Sequence, residues 1–321
     1  MIELPTTRPL DERERSLVEL GRWLRDHHYA FVTPTPATHR RVNARPRNAI
    51  ARDVTGAFGW SRPFAPTLVP DSLLAKLLHT RVLVPAGDGA DGAHLRSTVR
   101  YSTLRDRIYV HSAYPTTAPD SVFFGPDTYR FCALVATAVE RAELVLDVGC
   151  GGGMGGLSVV GAVGTVLLAD INPAAIACSR VNAVLAGAAD RVAFFQGDLY
   201  APFPEDWHVD AIIANPPYLV DPGARTYRDG GGALGIDLGV RIVREGLPHL
   251  APGGKLVLYT GAPIVDGIDQ VREALEPIVQ AAGARWRYWE LDPDVFGEEL
   301  DEPAYRDVDR IAAVAAVVQI S

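Results

Sequence analysis

The period of the hydrophobic positions changes near the middle of the chain. Between Leu10 and His28, Leu17, Leu20 and Leu24 recur at helical spacing with Val18 and Trp23 beside them, which predicts an amphipathic helix. Thr33-Pro34-Thr35-Pro36 interrupts that pattern. Asp71 to Thr80 predicts a second helix, preceded by Pro70 and capped by Asp71. Gly87-Asp88-Gly89 and Asp91-Gly92 mark a turn or loop. Beyond it, Leu95 to Leu104 and Ile108 to Ser112 carry the alternation Val99, Tyr101, Ile108, Val110, joined through Arg105-Asp106-Arg107, and predict a hairpin. Residues 1–122 therefore read as a smaller N-terminal α/β domain.

A different rhythm begins after the segment Ser121–Phe131. Gly125-Pro126 is a stop, and Asp127 is placed to cap a helix from Thr128 to Arg141. Phe123 and Phe124 read equally as interface core or as the wall of a site. From Glu143 short apolar runs alternate with helical ones. Strands are predicted at Leu144–Val148, Thr165–Ala169, Val192–Gln196, Val209–Ala214, Lys255–Tyr259, Arg285–Leu291 and Ile311–Ile320. Helices are predicted from the Gly-rich loop to Ala162 and at Pro173–Gly187, Leu234–Leu250 and Asp266–Ala281. Near-continuous apolar strands alternating with helices imply a doubly wound, mostly parallel, seven-stranded sheet of Rossmann-like type over residues 123–321. In such a sheet ligands sit beyond the carboxyl ends of the strands, where the strand order reverses.

Composition narrows the class. The 321 residues are 48% hydrophobic and 22% charged, which is globular, and no apolar run reaches the ~18 residues of a membrane span. With no apolar signal core at the N-terminus, a soluble cytoplasmic protein is expected. Cys132, Cys150 and Cys178 lack metal spacing and are odd in number, against a zinc site or a disulfide framework. The net charge of −8 is unevenly spread: residues 1–122 hold 17 Lys+Arg and 12 Asp+Glu, a charge of +5, which leaves −13 for residues 123–321. Arg40, Arg41, Arg45, Arg47 and Arg52 cluster in the basic part. They read as a solvated helix face or as a patch for RNA, phosphate or an acidic protein. The run Asp292, Asp294, Glu298, Glu299, Asp301 and Glu302 reads as a solvated loop or as a contact for a basic partner. His27, His28, His208 and His249 read as surface or structural residues.

Candidate chemistry lies at the predicted strand ends. Asp147-Val148-Gly149-Cys150-Gly151-Gly152-Gly153 follows the first strand of the sheet, and its glycines allow positive φ and close approach of a ligand to the backbone. Gly151, Gly153 and Gly156 also satisfy the dinucleotide spacing, with Asp170 placed as a ribose-binding carboxylate. Three features favour S-adenosylmethionine over a dinucleotide. Asp147 suits a cationic amino-acid tail and would repel a pyrophosphate. Asp198, at the end of the third strand, can meet an adenine amino group. The fourth strand ends in Asn215-Pro216-Pro217-Tyr218, which offers nothing to a hydride reaction. Two prolines stop the strand and hold a rigid turn that presents the Asn215 amide and the Tyr218 ring.

With these residues assembled, the second half resembles a class I S-adenosylmethionine-dependent methyltransferase, and within that class the HemK/PrmC-like protein-(glutamine-N5) methyltransferases and their N6-adenine relatives. The resemblance rests on Asp147, Gly149, Gly151 and Gly153 for the methionine part of the cofactor, Asp170 for its ribose, Asp198 at its adenine edge, and Asn215–Tyr218 for the substrate. Gly230–Gly235, Leu250–Gly254 and Pro126-Asp127-Thr128 resemble further segments of that group, with Gly125 where the family carries Arg. The resemblance implies an N-methyltransferase acting on a planar amide or amino nitrogen. Asn215 and Pro216 accept its two N–H bonds and Tyr218 stacks on its plane, with Asn215 also bordering the cofactor. The expected acceptor is a protein or peptide glutamine-type amide. The alternatives are a small-molecule or peptide natural product, N- or O-methylated, and a nucleobase of ribosomal RNA or DNA gripped through Arg40–Arg52. Residues 1–122 depart from the compact helical domain with which release-factor enzymes grip their substrate, and are expected to recognise the acceptor.

Overall fold

The structure is a computed structural model that describes residues 8–87, 94–223, 225–294 and 296–321. The Gly-rich turn expected at 87–92 lies, from residue 88 on, outside the described residues. The first helices are α1 (Glu12–Asp26), α2 (Pro36–Asn43), α3 (Val54–Phe58) and α4 (Asp71–His79). α1 opens on a capping box in which the Asp11 side chain accepts from the Glu14 N–H and the Glu14 side chain accepts from the Asp11 N–H. Asp71 does not cap α4. Pro70 occupies that position and Asp71 is the first helical residue, where its charge complements the helix dipole. Short strands β1 (Leu83–Pro85) and β2 (Leu95–Ser97) pair antiparallel, and β3 (Val99–Leu104) and β4 (Arg107–Ser112) form the hairpin.

The remaining elements are α5 (Pro126–Ala138), β5 (Ala142–Val148), α6 (Met154–Val159), β6 (Val163–Asp170), α7 (Pro173–Leu185), β7 (Val192–Gln196), β8 (Val209–Ala214), α8 (Asp237–Gly246), β9 (Leu250–Val265), β10 (Ile268–Asp269), α9 (Gln270–Ala281), β11 (Arg285–Asp292) and β12 (Arg310–Gln319). The sheet runs β11-β12-β9-β8-β5-β6-β7, with β12 antiparallel to both its neighbours and β10 paired to the end of β9. This is the doubly wound, mostly parallel sheet that the alternation implied. Side chains alternate along each strand: Val145, Ala211, Ile213 and Val257 join one core, and Leu146, Ile212, Leu256 and Leu258 the other.

Some boundaries differ from the pattern-based expectation. α8 starts three residues later than Leu234, because the glycines at 231, 232 and 235 hold positive φ in a loop that folds back on the sheet. Residues 266–269 make a tight turn and β10 before α9, which Asp269 caps by accepting from the Val271 and Arg272 N–H groups. β9 extends well past Tyr259 because β12 pairs with it through Ile264.

The N-terminal elements share their core with the sheet domain. Leu17, Leu20 and Leu24 of α1 and Tyr101 of β3 pack with Val181 and Leu185 of α7. The buried Glu14 carboxylate accepts from Arg180 Nε of α7 at 3.2 Å and from Arg8 at 2.7 Å. Asn182 of α7, 0% exposed, accepts from the Val110 N–H at 2.7 Å and donates to Val110 O at 3.0 Å. Its amide thus serves the free edge of the hairpin as another strand would. No helix among the described residues is long and apolar enough to cross a membrane.

Candidate active site

Sheet register assembles the site. Val148 at the end of β5 lies beside Ala169 of β6 and beside Ala214 of β8. The next residues are therefore Gly149, Asp170 and Asn215, side by side at one strand spacing, roughly 4.8 Å between neighbours. β5 is the strand from which connections leave in opposite directions, so this is where a crevice opens. A cleft of about 710 Å³ lies there.

The glycine loop forms its floor. Gly149 and Gly151 have φ of +67° and +54°, and a Cβ built on either meets nothing within 4 Å. Packing therefore does not exclude a side chain at these two positions. Left-handed backbone and open space for a ligand do. The Asp170 carboxylate is pinned from both sides, accepting from the Gly151 N–H and the Asn172 N–H, each at 2.8 Å. Burial raises its pKa. Asp147 is 1% exposed and accepts from the Gly156 N–H at 2.8 Å. Burial, with a smaller push from Asp170, raises its carboxyl to about 7. Asp198 stands at the rim, half exposed, with Arg241 3.1 Å from its carboxylate. All three acids line the cleft with Gly149 and Gly151. A cleft with a bare glycine floor and a row of strand-end carboxylates fits a cofactor that carries a cationic tail and hydroxyl and amino donors.

Asn215 and the two prolines stand on the other side of β5's end. Among the described residues no hydrogen bond engages the Asn215 side chain, which lines the cleft with its amide free for a ligand. Tyr218 departs from the expected stacking platform. It is 6% exposed, its ring lies against Gly261 of β9, and its hydroxyl donates to Asp127 Oδ2 at 2.6 Å. It borders the cleft as a fixed wall. Asp127 is likewise not the cap of α5. Gly125 takes that position, and its N–H donates to Thr128 Oγ1 at 3.2 Å. Asp127 turns inward, 4% exposed, and accepts from Tyr218 and from Tyr259 at 2.8 Å. The two aromatics before α5 divide their roles: Phe124 is buried core, while Phe123 lines the cleft and stacks on Tyr227, centroids 6.1 Å apart.

Residues on this side of the molecule that local pattern did not reveal come from distant segments. Thr116 and Thr117 line the cleft, and their segment is held by Asn172 Nδ2 to Asp120 O (2.9 Å), Thr226 Oγ1 to Pro119 O (2.9 Å) and Tyr227 OH to Thr116 O (2.5 Å). Pro36 and Arg40 of α2 line the cleft, as do Glu298, Asp301 and Glu302. Two acids of the 292–302 run are structural: Asp292 pairs with Arg130 at 2.5 Å and Glu299 with Arg228 at 2.5 Å. Asn182 donates to Gly152 O at 2.8 Å and so ties the glycine loop to the hairpin. Helical periodicity gave no hint of this, since a polar residue in a helix reads as surface.

Residues 132–271 match the family model of the methyltransferase small domain. The matched segment holds the glycine loop, Asp170, Asp198 and Asn215, which line the cleft. The chain is similar to the ribosomal protein uL3 glutamine methyltransferase of Bradyrhizobium diazoefficiens, 31% identical over 211 residues, covering 61% of this chain and 64% of that protein. It is also similar to the release factor glutamine methyltransferase of Cereibacter sphaeroides, 32% identical over 169 residues, covering 46% of this chain and 55% of that one. The chain thus spans a little over half to about two thirds of the length of these two relatives. Among solved structures, wild-type Trm5b from Pyrococcus abyssi shares the fold, with a TM-score of 0.51 at 16% identity over 71% of this chain and 58% of that one.

Proposed function

We propose that this protein is an S-adenosylmethionine-dependent N-methyltransferase that modifies the side-chain amide of a glutamine in a protein. The observation that carries the reading is the free Asn215 amide beside Pro216, one strand from the glycine loop. The methyl-transfer relatives act, by name, on glutamines of ribosomal protein uL3 and of release factors.

S-adenosylmethionine supplies an electrophilic methyl group when bound. Asp147 would hold its cationic tail, Asp170 its ribose hydroxyls and Asp198 its adenine edge. The chain's other task is orientation. An amide nitrogen is a poor nucleophile because its lone pair is delocalised. The Asn215 side-chain oxygen and the Pro216 carbonyl each accept one of its N–H bonds, which aims the lone pair and stabilises positive charge as it develops. The prolines hold that carbonyl without reorganisation. No histidine is among the described residues lining the cleft, and burial drives the Cys150 thiol well above its ordinary pKa. Neither a general base nor a thiolate is required, because the methylated nitrogen becomes acidic and loses its proton to water.

The test is incubation with methyl-labelled S-adenosylmethionine and, in separate reactions, uL3, a release factor and ribosomal RNA. Label in protein, placed on a glutamine by tandem mass spectrometry, is the expected result. Label confined to RNA overturns the reading and favours nucleobase methylation. One observation speaks for that second reading: Arg40, Arg41, Arg45, Arg47 and Arg52 are exposed and form no ion pair among the described residues, and Arg40 lines the cleft mouth. A phosphate-gripping patch would make acceptor binding fall steeply with salt.

A further inference from the structure

The buried acid at residue 127 has no part in the chemistry described above, yet it sits beneath the motif that performs it. We propose that Asp127 is a positioning residue, which anchors Tyr218 and through it holds Asn215 and the Pro216 carbonyl in the geometry that receives the acceptor nitrogen. The inference rests on the reading of residues 215–218 as the methyl-transfer motif.

Three observations converge on it. First, Asp127 is 4% exposed, and its two oxygens are shared between phenols from separate elements: Tyr218 at 2.6 Å on Oδ2 and Tyr259 of β9 at 2.8 Å on Oδ1. Arg130 approaches Oδ1 at 3.4 Å and passes on to Asp292 at 2.5 Å, at the root of the loop that lines the cleft mouth. A buried carboxylate is costly unless its lone pairs are taken. A chain that needed only packing at this place would do better with an apolar side chain. Second, the Tyr218 ring is confined. A Cβ on Gly261 would collide with it, so the ring rests directly on the backbone of β9, and its hydroxyl is tied to Asp127. Third, the motif's main chain is gripped from the other side. Gly235, at φ +78°, packs so closely that a Cβ there would lie 2.6 Å from Tyr218 O, and Gly230 N donates to Leu219 O at 2.8 Å.

The strut is built to persist. Burial, then the nearby Asp127 charge, puts the Tyr218 phenol well above its ordinary pKa, so it remains a donor. Burial raises the Asp127 carboxyl, while the two phenols and Arg130 work in the opposite direction.

The experiment uses the full chain with three single variants, Asp127→Asn, Tyr218→Phe and Tyr259→Phe, and the double variant Asp127→Asn/Tyr218→Phe. The probes are S-adenosylmethionine binding by calorimetry, methyl transfer to the acceptor, and amide hydrogen exchange over residues 211–222 and 230–236. Asp127→Asn and Tyr218→Phe are expected to lower kcat by about 10–100-fold, the size a misplacement of roughly 1 Å produces, while the Kd for S-adenosylmethionine changes less than about threefold. Exchange over both segments should rise, and that of β12 should not. The double variant should be no slower than the worse single one, because both remove the same bond. Tyr259→Phe, which leaves the Tyr218 bond in place, should cost less than about threefold in kcat. Wild-type kcat in Asp127→Asn and Tyr218→Phe, multiplied losses in the double variant, or unchanged exchange overturns the proposal. If Asp127→Asn does not fold, Tyr218→Phe decides, since it keeps the ring and removes one oxygen. Failure of the glutamine reading shows separately, as wild-type enzyme that places no methyl on glutamine. The exchange and binding probes still test the strut in that case.

Discussion

At the scale of single residues, the site is a set of strand-end side chains whose environments give them different tasks. Among the described residues no hydrogen bond engages the Asn215 side chain, so its removal should leave the fold and the glycine loop intact. Asn215→Ala is expected to lower kcat/KM by about 100-fold or more, the usual loss for one fixed acceptor in a reaction centre, with S-adenosylmethionine binding preserved in calorimetry. Asp147 carries a pH signature. Its carboxyl is raised from the ordinary 3.8 to about 7 by burial. Between those values the native chain holds a proton that the unfolded chain has lost. This group's contribution therefore makes stability fall as pH rises through that window and level off above about 7. A cation arriving beside it favours the ionised form. S-adenosylmethionine affinity should thus rise with pH up to about 7, with proton release visible in buffers of different ionisation enthalpy. Both trends should flatten in Asp147→Asn.

At the scale of elements, strands deliver the site and loops lock it. The register of β5 with β6 and β8 sets Gly149, Asp170 and Asn215 in a row, and β9 forms the bed under Tyr218. Gly261→Ala tests the bed. The added methyl meets a ring that cannot withdraw without breaking its hydroxyl bond to Asp127. Overpacking of this kind costs about 1–3 kcal/mol. A lower melting temperature and a kcat reduced at least about tenfold are expected, measured by calorimetry and methyl transfer. This layer was legible in part. The strand ends could be placed because an apolar run and a Gly or Pro stop are neighbours in sequence. The starts of α8 and α9 were misplaced because apolar residues just before them, such as Leu234 in a loop and Ile268 of β10, mimic the helical stripe.

At the scale of the whole molecule, the N-terminal elements are built onto α7 of the sheet domain. Asn182 is the joint. It satisfies both backbone groups of Val110 and the carbonyl of Gly152 in the glycine loop. Asn182→Ala would leave those groups buried and unpaired, at about 1–3 kcal/mol each. The expected outcome is a lower urea midpoint together with weaker S-adenosylmethionine binding, although residue 182 does not line the cleft. A melting loss with unchanged binding would separate the joint from the glycine loop. The charge asymmetry of the two halves also acquires a place. Arg40 of the basic half and Glu298, Asp301 and Glu302 of the acidic half line the same cleft.

By itself the sequence determined the alternation of strands and helices, the parallel sheet, and the residues at the carboxyl ends of its strands. Those features depend on side chains adjacent or one turn apart, and their physics is local: hydrophobic period, glycine at positive φ, proline as a stop. Tertiary structure decided what Asp127, Tyr218 and Asn182 do. Asp127 and Tyr218 stand 91 residues apart and Asn182 and Val110 72. Whether a polar side chain is a cap, a surface residue or a buried strut depends on which distant donors the fold brings to it. A buried carboxylate needs its partners before it can exist, and only the closed core supplies them.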